Sequence, residues 1–130
     1  MREGPAGGAV VYAVAPQRLA AFYEAVAGLE IVHVEDDYVV LERGAFQLVV
    51  HGIPKAIAEA IEVTSPPVRR EDAALKIVLP VASLAAAREA APAHGGLIDP
   101  EAREWWFDGS RVCDGHDPEG NVIQLRESAD

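Results

Sequence analysis

Short alternating runs of apolar and polar residues fill most of the chain, and two stretches follow a helical period instead. Ala9 to Val14 is a small apolar run suited to a strand. Pro16 fits the first turn of a helix, and Leu19, Phe22, Tyr23 and Val26 then recur on one helical face. Gly28 can supply the left-handed cap. Leu29 to Val34, Tyr38 to Glu42 and Ala45 to Val50 are β-rich runs separated by Glu35-Asp36-Asp37 and by Arg43-Gly44, which predicts antiparallel hairpins. The first half therefore reads βαβββ.

The stretch from Pro54 to Thr64 fits either a short helix, on Ala56, Ile57, Ala60 and Ile61, or a brief edge strand over Ile61 to Thr64. Ser65 to Asp72, with Pro66-Pro67 and Arg69-Arg70, is expected to be a solvated connector. Leu75 to Val81 alternates as a strand, Ser83 is an N-cap, and an alanine-rich helix follows from Leu84 to Ala91 until Pro92 ends it before Gly95-Gly96. Trp105 to Phe107, Arg111 to Asp114 and Val122 to Arg126 supply three more strands. Val14 and Val81, Gly28 and Gly95, and Gln47-Leu48 and Gln124-Leu125 occupy matching places, so the second half repeats the first. One domain is expected, with a first module over about 9–64, a linker over about 65–72 and a second module over about 73–127. Met1 to Gly8 reads as a loose leader.

Between the last two strands lies Asp117-Pro118-Glu119-Gly120-Asn121, whose Asp, Pro and Gly fit a type I turn closed by a left-handed glycine. This run resembles the C-terminal signature of the vicinal oxygen chelate superfamily, the glyoxalase, bleomycin-resistance and extradiol-dioxygenase relatives. Phe22-Tyr23 followed by Gly28-Leu29 is similar to the family's other hallmark. The resemblance implies an α+β fold in which two βαβββ modules form a cup-shaped mixed sheet around a cavity, with helices on the outer face. It also implies a homodimer, for which the exposed edges of incomplete cups give a physical motive.

Composition narrows the partners. The chain has 130 residues, half apolar and a quarter charged, enough for a single packed core. No apolar run approaches the roughly 20 residues needed to cross a bilayer, and no basic or apolar signal core opens the chain, so a cytoplasmic location is the default and no membrane partner is expected. Cys113 is the one cysteine and has no disulfide or zinc partner of its own kind. A net charge of -10 argues against nucleic acid, while permitting a cationic ligand.

Alternation also selects the side chains that can face a cavity. Phe46, Leu48 and Val50 belong to the core, leaving Gln47 and His51 opposite; Ile123 and Leu125 leave Gln124 and Arg126; Leu75, Ile77 and Leu79 leave Lys76. Metal-dependent members of the superfamily place ligands on the first and last strands of each module, and those places fall here on Gly8 or Ala9, Gln47, Lys76 and Gln124. None is a His or a carboxylate, and a lysine cation would repel a divalent ion, so no metal cofactor is expected. His33, His51, His94 and His116 offer no His-x-x-x-His pair to replace them.

Each candidate carries a plainer role beside the chemical one. His116 either acts as an acid or base at the mouth of the cup or steadies the turn. Gln47 and Gln124 either bind a ligand or satisfy each other across the module interface. Lys76 is either neutralised by a carboxylate or awaits an anionic ligand. Of the cluster Trp105, Trp106 and Phe107, one side is expected in the core and the other free to stack on a planar ligand, with Asp114 orienting a turn beside it. The expected function is a metal-independent small-molecule-binding protein of the glyoxalase and bleomycin-resistance type. The alternatives are a divalent-metal-dependent lyase, isomerase or dioxygenase with substituted ligands, an enzyme moving protons through His51 or His116, and a module whose cup is filled by its own side chains.

Overall fold

The computed structural model describes residues 4–128. Most of the leader stretch from Met1 to Gly8 is irregular where described, but the first strand, β1 (Gly7–Ala13), already takes in its last two residues. The helix α1 (Pro16–Ala27) follows, then β2 (Glu30–Val34), β3 (Tyr38–Arg43) and β4 (Phe46–Gly52). Gly28 closes α1 in the left-handed conformation, with φ of 69°. These strands form one sheet in the order β1-β4-β3-β2, in which β1 runs parallel to β4 and the other pairs are antiparallel.

The connecting stretch holds one turn of helix, α2 (Lys55–Ala58), and no strand at Ile61 to Thr64. The second sheet contains β5 (Ile77–Val81), β6 (Leu97–Ile98), β7 (Trp105–Phe107), β8 (Ser110–His116) and β9 (Val122–Ser128), with the helix α3 (Leu84–Ala90) between β5 and β6. Its order is β5-β9-β8-β6, with β7 also paired to β8, and β5 is parallel to β9. Ser83 caps α3 by accepting from the Ala86 amide at 3.0 Å. Thus each sheet is βαβββ, except that the second strand of the second sheet is broken into the two pieces β6 and β7. No helix among the described residues is long and apolar enough to cross a membrane.

The core lies where α1 and α3 meet and where both cover their sheets. Leu19, Phe22, Tyr23 and Val26 of α1 are buried with Leu41, Leu48 and Val50 of the first sheet and Leu79, Ile123 and Leu125 of the second. Cys113 is fully buried in this cluster, and burial raises its thiol pKa, so it is an inert strand residue. The alternation drawn from sequence places the core faces of β4 and β9 as expected. Leu75 departs from it: the residue is 88% exposed. The ladder between β5 and β9 starts at Ile77 opposite Ile123, so Leu75 lies beyond the reach of its partner strand, where β9 has given way to the turn.

Two carboxylates join the modules. Asp117 accepts from the Glu119 and Asn121 amides through Oδ1, and from the Tyr23 hydroxyl and the Asn121 side-chain amide through Oδ2. Glu119 reaches the start of α1, where its two oxygens accept from the Val14 and Ala15 amides at 2.8 and 2.9 Å. That helix has no side-chain cap of its own. A carboxylate from the other module therefore satisfies amides that a helix start leaves open, and sits at the positive end of the helix dipole. Gly120 holds φ of 86° in this turn and packs under the Val68 carbonyl, where any Cβ would collide.

Candidate functional site

Each sheet has one face against the helices and one open face. On the first sheet the open face presents Val10 and Tyr12 from β1, Tyr38, Val40 and Glu42 from β3, and Gln47, Val49 and His51 from β4, as the register requires. The rings of Tyr12, His51, Tyr38 and His33 form a row across it: Tyr38 stacks on His51 at 6.0 Å and 9°, with Tyr12 and His33 tilted at 6.0 and 5.8 Å. Gln47 donates to Glu42 at 3.1 Å. His51 also lines a 420 Å³ cleft with Asp36, Asp37 and Lys55 at the end of β4.

On the second sheet, the open face carries Lys76, Val78, Val112, Asp114, Gln124 and Arg126, with Trp105 and Phe107 at its edge. A polar chain crosses it. Lys76 Nζ lies 2.8 Å from Asp114 Oδ2, Gln124 Nε2 donates to Asp114 Oδ1 at 3.5 Å, and Arg126 Nε donates to Gln124 Oε1 at 2.9 Å. The Arg126 guanidinium then lies over the Phe107 ring, 4.9 Å from its centroid. Asp114 is thus a partner for Lys76 rather than a turn-orienting group. Lys76 is neutralised in this structure, and Gln47 and Gln124 sit on separate sheets with separate partners, so they do not satisfy each other.

The aromatic cluster is not core. Trp105, Trp106 and Phe107 are 39%, 60% and 53% exposed. Among the described residues β7 pairs with β8 alone, so no further strand covers its other edge. Alternation does split the cluster between faces: Trp106 stacks with Arg111, 5.0 Å away, on the helix side. There Glu104 binds both Arg88 and Arg111, with Nη1 of Arg111 at 3.0 Å. Burial works against the charge on Glu104, but the two guanidiniums outweigh it and hold the carboxyl below its usual range.

His116 is 8% exposed, and its Nδ1 has no hydrogen-bond partner among the described residues. Burial, and then the nearby Arg69, lower its pKa, so it is held neutral. The turn is steadied by Asp117 instead. Arg69 lies in the connector but is not solvated: it reaches Asp99 at 2.8 Å as an ion pair. That pairing ties the connector to the second sheet and was not legible in the arginine pair itself.

The places that the family resemblance marks for metal ligands can be compared by register. Counted from the helix caps Ala15 and Ser83, Val10 and Val78 are equivalent, and they pair with Val49 and Gln124. The counterpart of Gln124 is therefore Val49, two residues beyond Gln47 on the same face. Gly8 pairs with Gln47 so closely that an added Cβ would collide with the Gln47 carbonyl. With glycine, valine or an amide, an ion-paired lysine and a second amide there, the donor set does not fit a divalent ion. Among the described residues no three His, Cys, Asp or Glu side chains are gathered as a metal site requires.

The arrangement of two such modules matches known proteins. Residues 8–126 match the glyoxalase-like domain family, and the chain belongs to that family. Its fold is shared with a glyoxalase/bleomycin resistance protein/dioxygenase family enzyme from Burkholderia phytofirmans PsJN, at 15% identity, a TM-score of 0.64, and coverage of 92% of this chain and 95% of that one. The bleomycin resistance determinant encoded on the transposon Tn5 is similar at 18% identity and a TM-score of 0.59, covering 94% and 96%. A protein of unknown function from Agrobacterium tumefaciens str. C58 reaches 26% identity and a TM-score of 0.62, covering 98% and 94%. No curated protein matches the chain.

Proposed function

We propose that this chain is a small-molecule-binding protein of the glyoxalase and bleomycin-resistance type, that two copies pair to close the binding space, and that side chains rather than a metal ion hold the ligand. One observation carries the reading: large apolar groups on both open sheet faces are exposed. Val10 and Tyr12 on the first, at 55% and 63% exposure, and Val78, Trp105 and Phe107 on the second are large apolar groups turned to solvent. Apolar groups gathered on one open face mark an interface or a ligand groove.

The two faces also differ in charge. The first carries Glu42, with Asp36, Asp37 and Lys55 at its end, while the second carries Lys76 and Arg126 against Asp114. Setting the first face of one copy against the second face of another brings opposite signs together. The space between would be walled by the Tyr12, His51 and Tyr38 rings on one side and by Trp105, Phe107, Gln124 and Arg126 on the other. Such a lining binds by stacking and hydrogen bonding and needs no Lewis acid.

Sedimentation equilibrium tests the pairing. The expected mass at tens of micromolar is twice 13.8 kDa, and Val10→Arg, which puts a charge on the open face without touching the core, is expected to return the monomer. A wild-type protein that stays monomeric at that concentration would contradict the reading.

A further inference from the structure

We infer that the ligand is a planar aromatic carboxylate, its carboxylate taken by the fork of Arg126 and its ring laid on Trp105; this rests on the small-molecule reading above and specifies its chemistry. Trp105, Val112 and Arg126 lie abreast on three neighbouring strands, on the same face, with Val112 fully buried between its two neighbours. The site is thus a shallow floor with an aromatic side and a cationic side.

Arg126 is set for this task. Its guanidinium lies over the Phe107 ring and its Nε donates to Gln124, and these two contacts hold the group in place. Its hydrogen bond to Gln124 runs through Nε, so the two terminal nitrogens are the ones placed to meet a ligand. Those nitrogens form a fork that matches the two oxygens of a carboxylate, where a lysine would supply only a point charge. Lys76 does not compete, because Asp114 already answers its charge. In a chain of net charge -10, Arg126 is the cation of this face that no carboxylate among the described residues pairs with, Lys76 being taken by Asp114, so an anion on this face is drawn to it. A cationic planar ligand would meet repulsion there.

Three probes of one shape decide it: 1-naphthoate, neutral 1-naphthylmethanol and cationic 1-naphthylmethylammonium, titrated into the wild-type protein by calorimetry and followed by tryptophan emission. Naphthoate is expected to bind about ten- to hundredfold more tightly than the alcohol, the range set by a charge-assisted pair of hydrogen bonds, and the ammonium most weakly. Arg126→Gln, checked for folding by circular dichroism, is expected to abolish the preference for naphthoate, weakening the alcohol far less. Trp105→Leu is expected to weaken both. Equal binding of naphthoate and the alcohol, or a preference that survives Arg126→Gln, would overturn the inference. A preference for the neutral or cationic probe would overturn it and leave the small-molecule reading standing. Failure of all three probes overturns this inference alone if the protein sediments as a dimer, and both readings if it is a monomer.

Discussion

The hydroxyl of Tyr23 donates to Asp117 Oδ2 at 2.6 Å inside the core, so the first helix of one module is bonded to the last turn of the other. Both groups are fully buried. Burial raises the pKa of Tyr23 well above its usual value, with the nearby Asp117 charge acting the same way, and burial raises that of Asp117. Tyr23→Phe leaves one oxygen of the carboxylate short of a donor at no change in volume. The expected loss is about 1.5–3 kcal/mol in chemical denaturation, the scale of a hydrogen bond to a charged group. Asp117→Ala strands the Tyr23 hydroxyl, the Glu119 and Asn121 backbone amides and the Asn121 side-chain amide together and is expected to cost more.

Glu119 caps a helix that cannot cap itself. Glu119→Ala is expected to lower stability by about 1–2 kcal/mol, as loss of an N-cap does, and to speed amide exchange at Val14 and Ala15 ahead of α1 itself. Unchanged exchange at those two amides would remove the carboxylate from this role.

Lys76 and Asp114 form an ion pair with the lysine side chain 40% exposed. Screening by solvent limits what such a pair contributes, so Lys76→Ala is expected to change unfolding free energy by less than about 1 kcal/mol. The same substitution frees Asp114 next to Gln124, and is expected to weaken naphthoate by adding an unmatched negative charge to the face.

His116 sets a pH dependence. Its folded pKa lies below the usual imidazole value of 6.5, so the folded chain resists a proton that the unfolded chain accepts. Its contribution is therefore intact above pH 6.5 and is lost as the pH falls through the lowered value. The melting temperature of the wild type is expected to drop on acidification from pH 6.5, and His116→Gln is expected to flatten that drop. An identical slope in both proteins would remove His116 from this effect; Glu104, whose carboxyl is held below its usual range, loses its own contribution only in more acid conditions.

Much of the fold was written locally. The period of Leu19, Phe22, Tyr23 and Val26, the cap at Gly28 and the Asp117 turn each depend on neighbours within a few residues, and each stands where the pattern put it. Alternation likewise told which residues of β4 and β9 share a face. It could not tell whether a face is covered, because that depends on another element: Trp105 and Phe107 share the open side of an edge strand, and Leu75 alternates like a strand residue but has no partner strand beside it. Register was also out of reach. Two residues of slip between Gln47 and Val49 keep the face and change the equivalence, and only pairing with β1 resolves them. The Arg126, Gln124 and Phe107 contacts needed β7, β8 and β9 in place, and the signal available was only that Arg126 follows Gln124 by two.

The central claim is that side chains, with no metal ion, hold an organic molecule between two copies of this chain. Native mass spectrometry of protein purified without chelators measures it directly. The account predicts a homodimer that retains an organic mass, loses it on denaturation, and keeps its affinity for naphthoate after treatment with a chelator. A dimer carrying a stoichiometric zinc, nickel, iron or manganese ion, with binding lost on chelation, would contradict it.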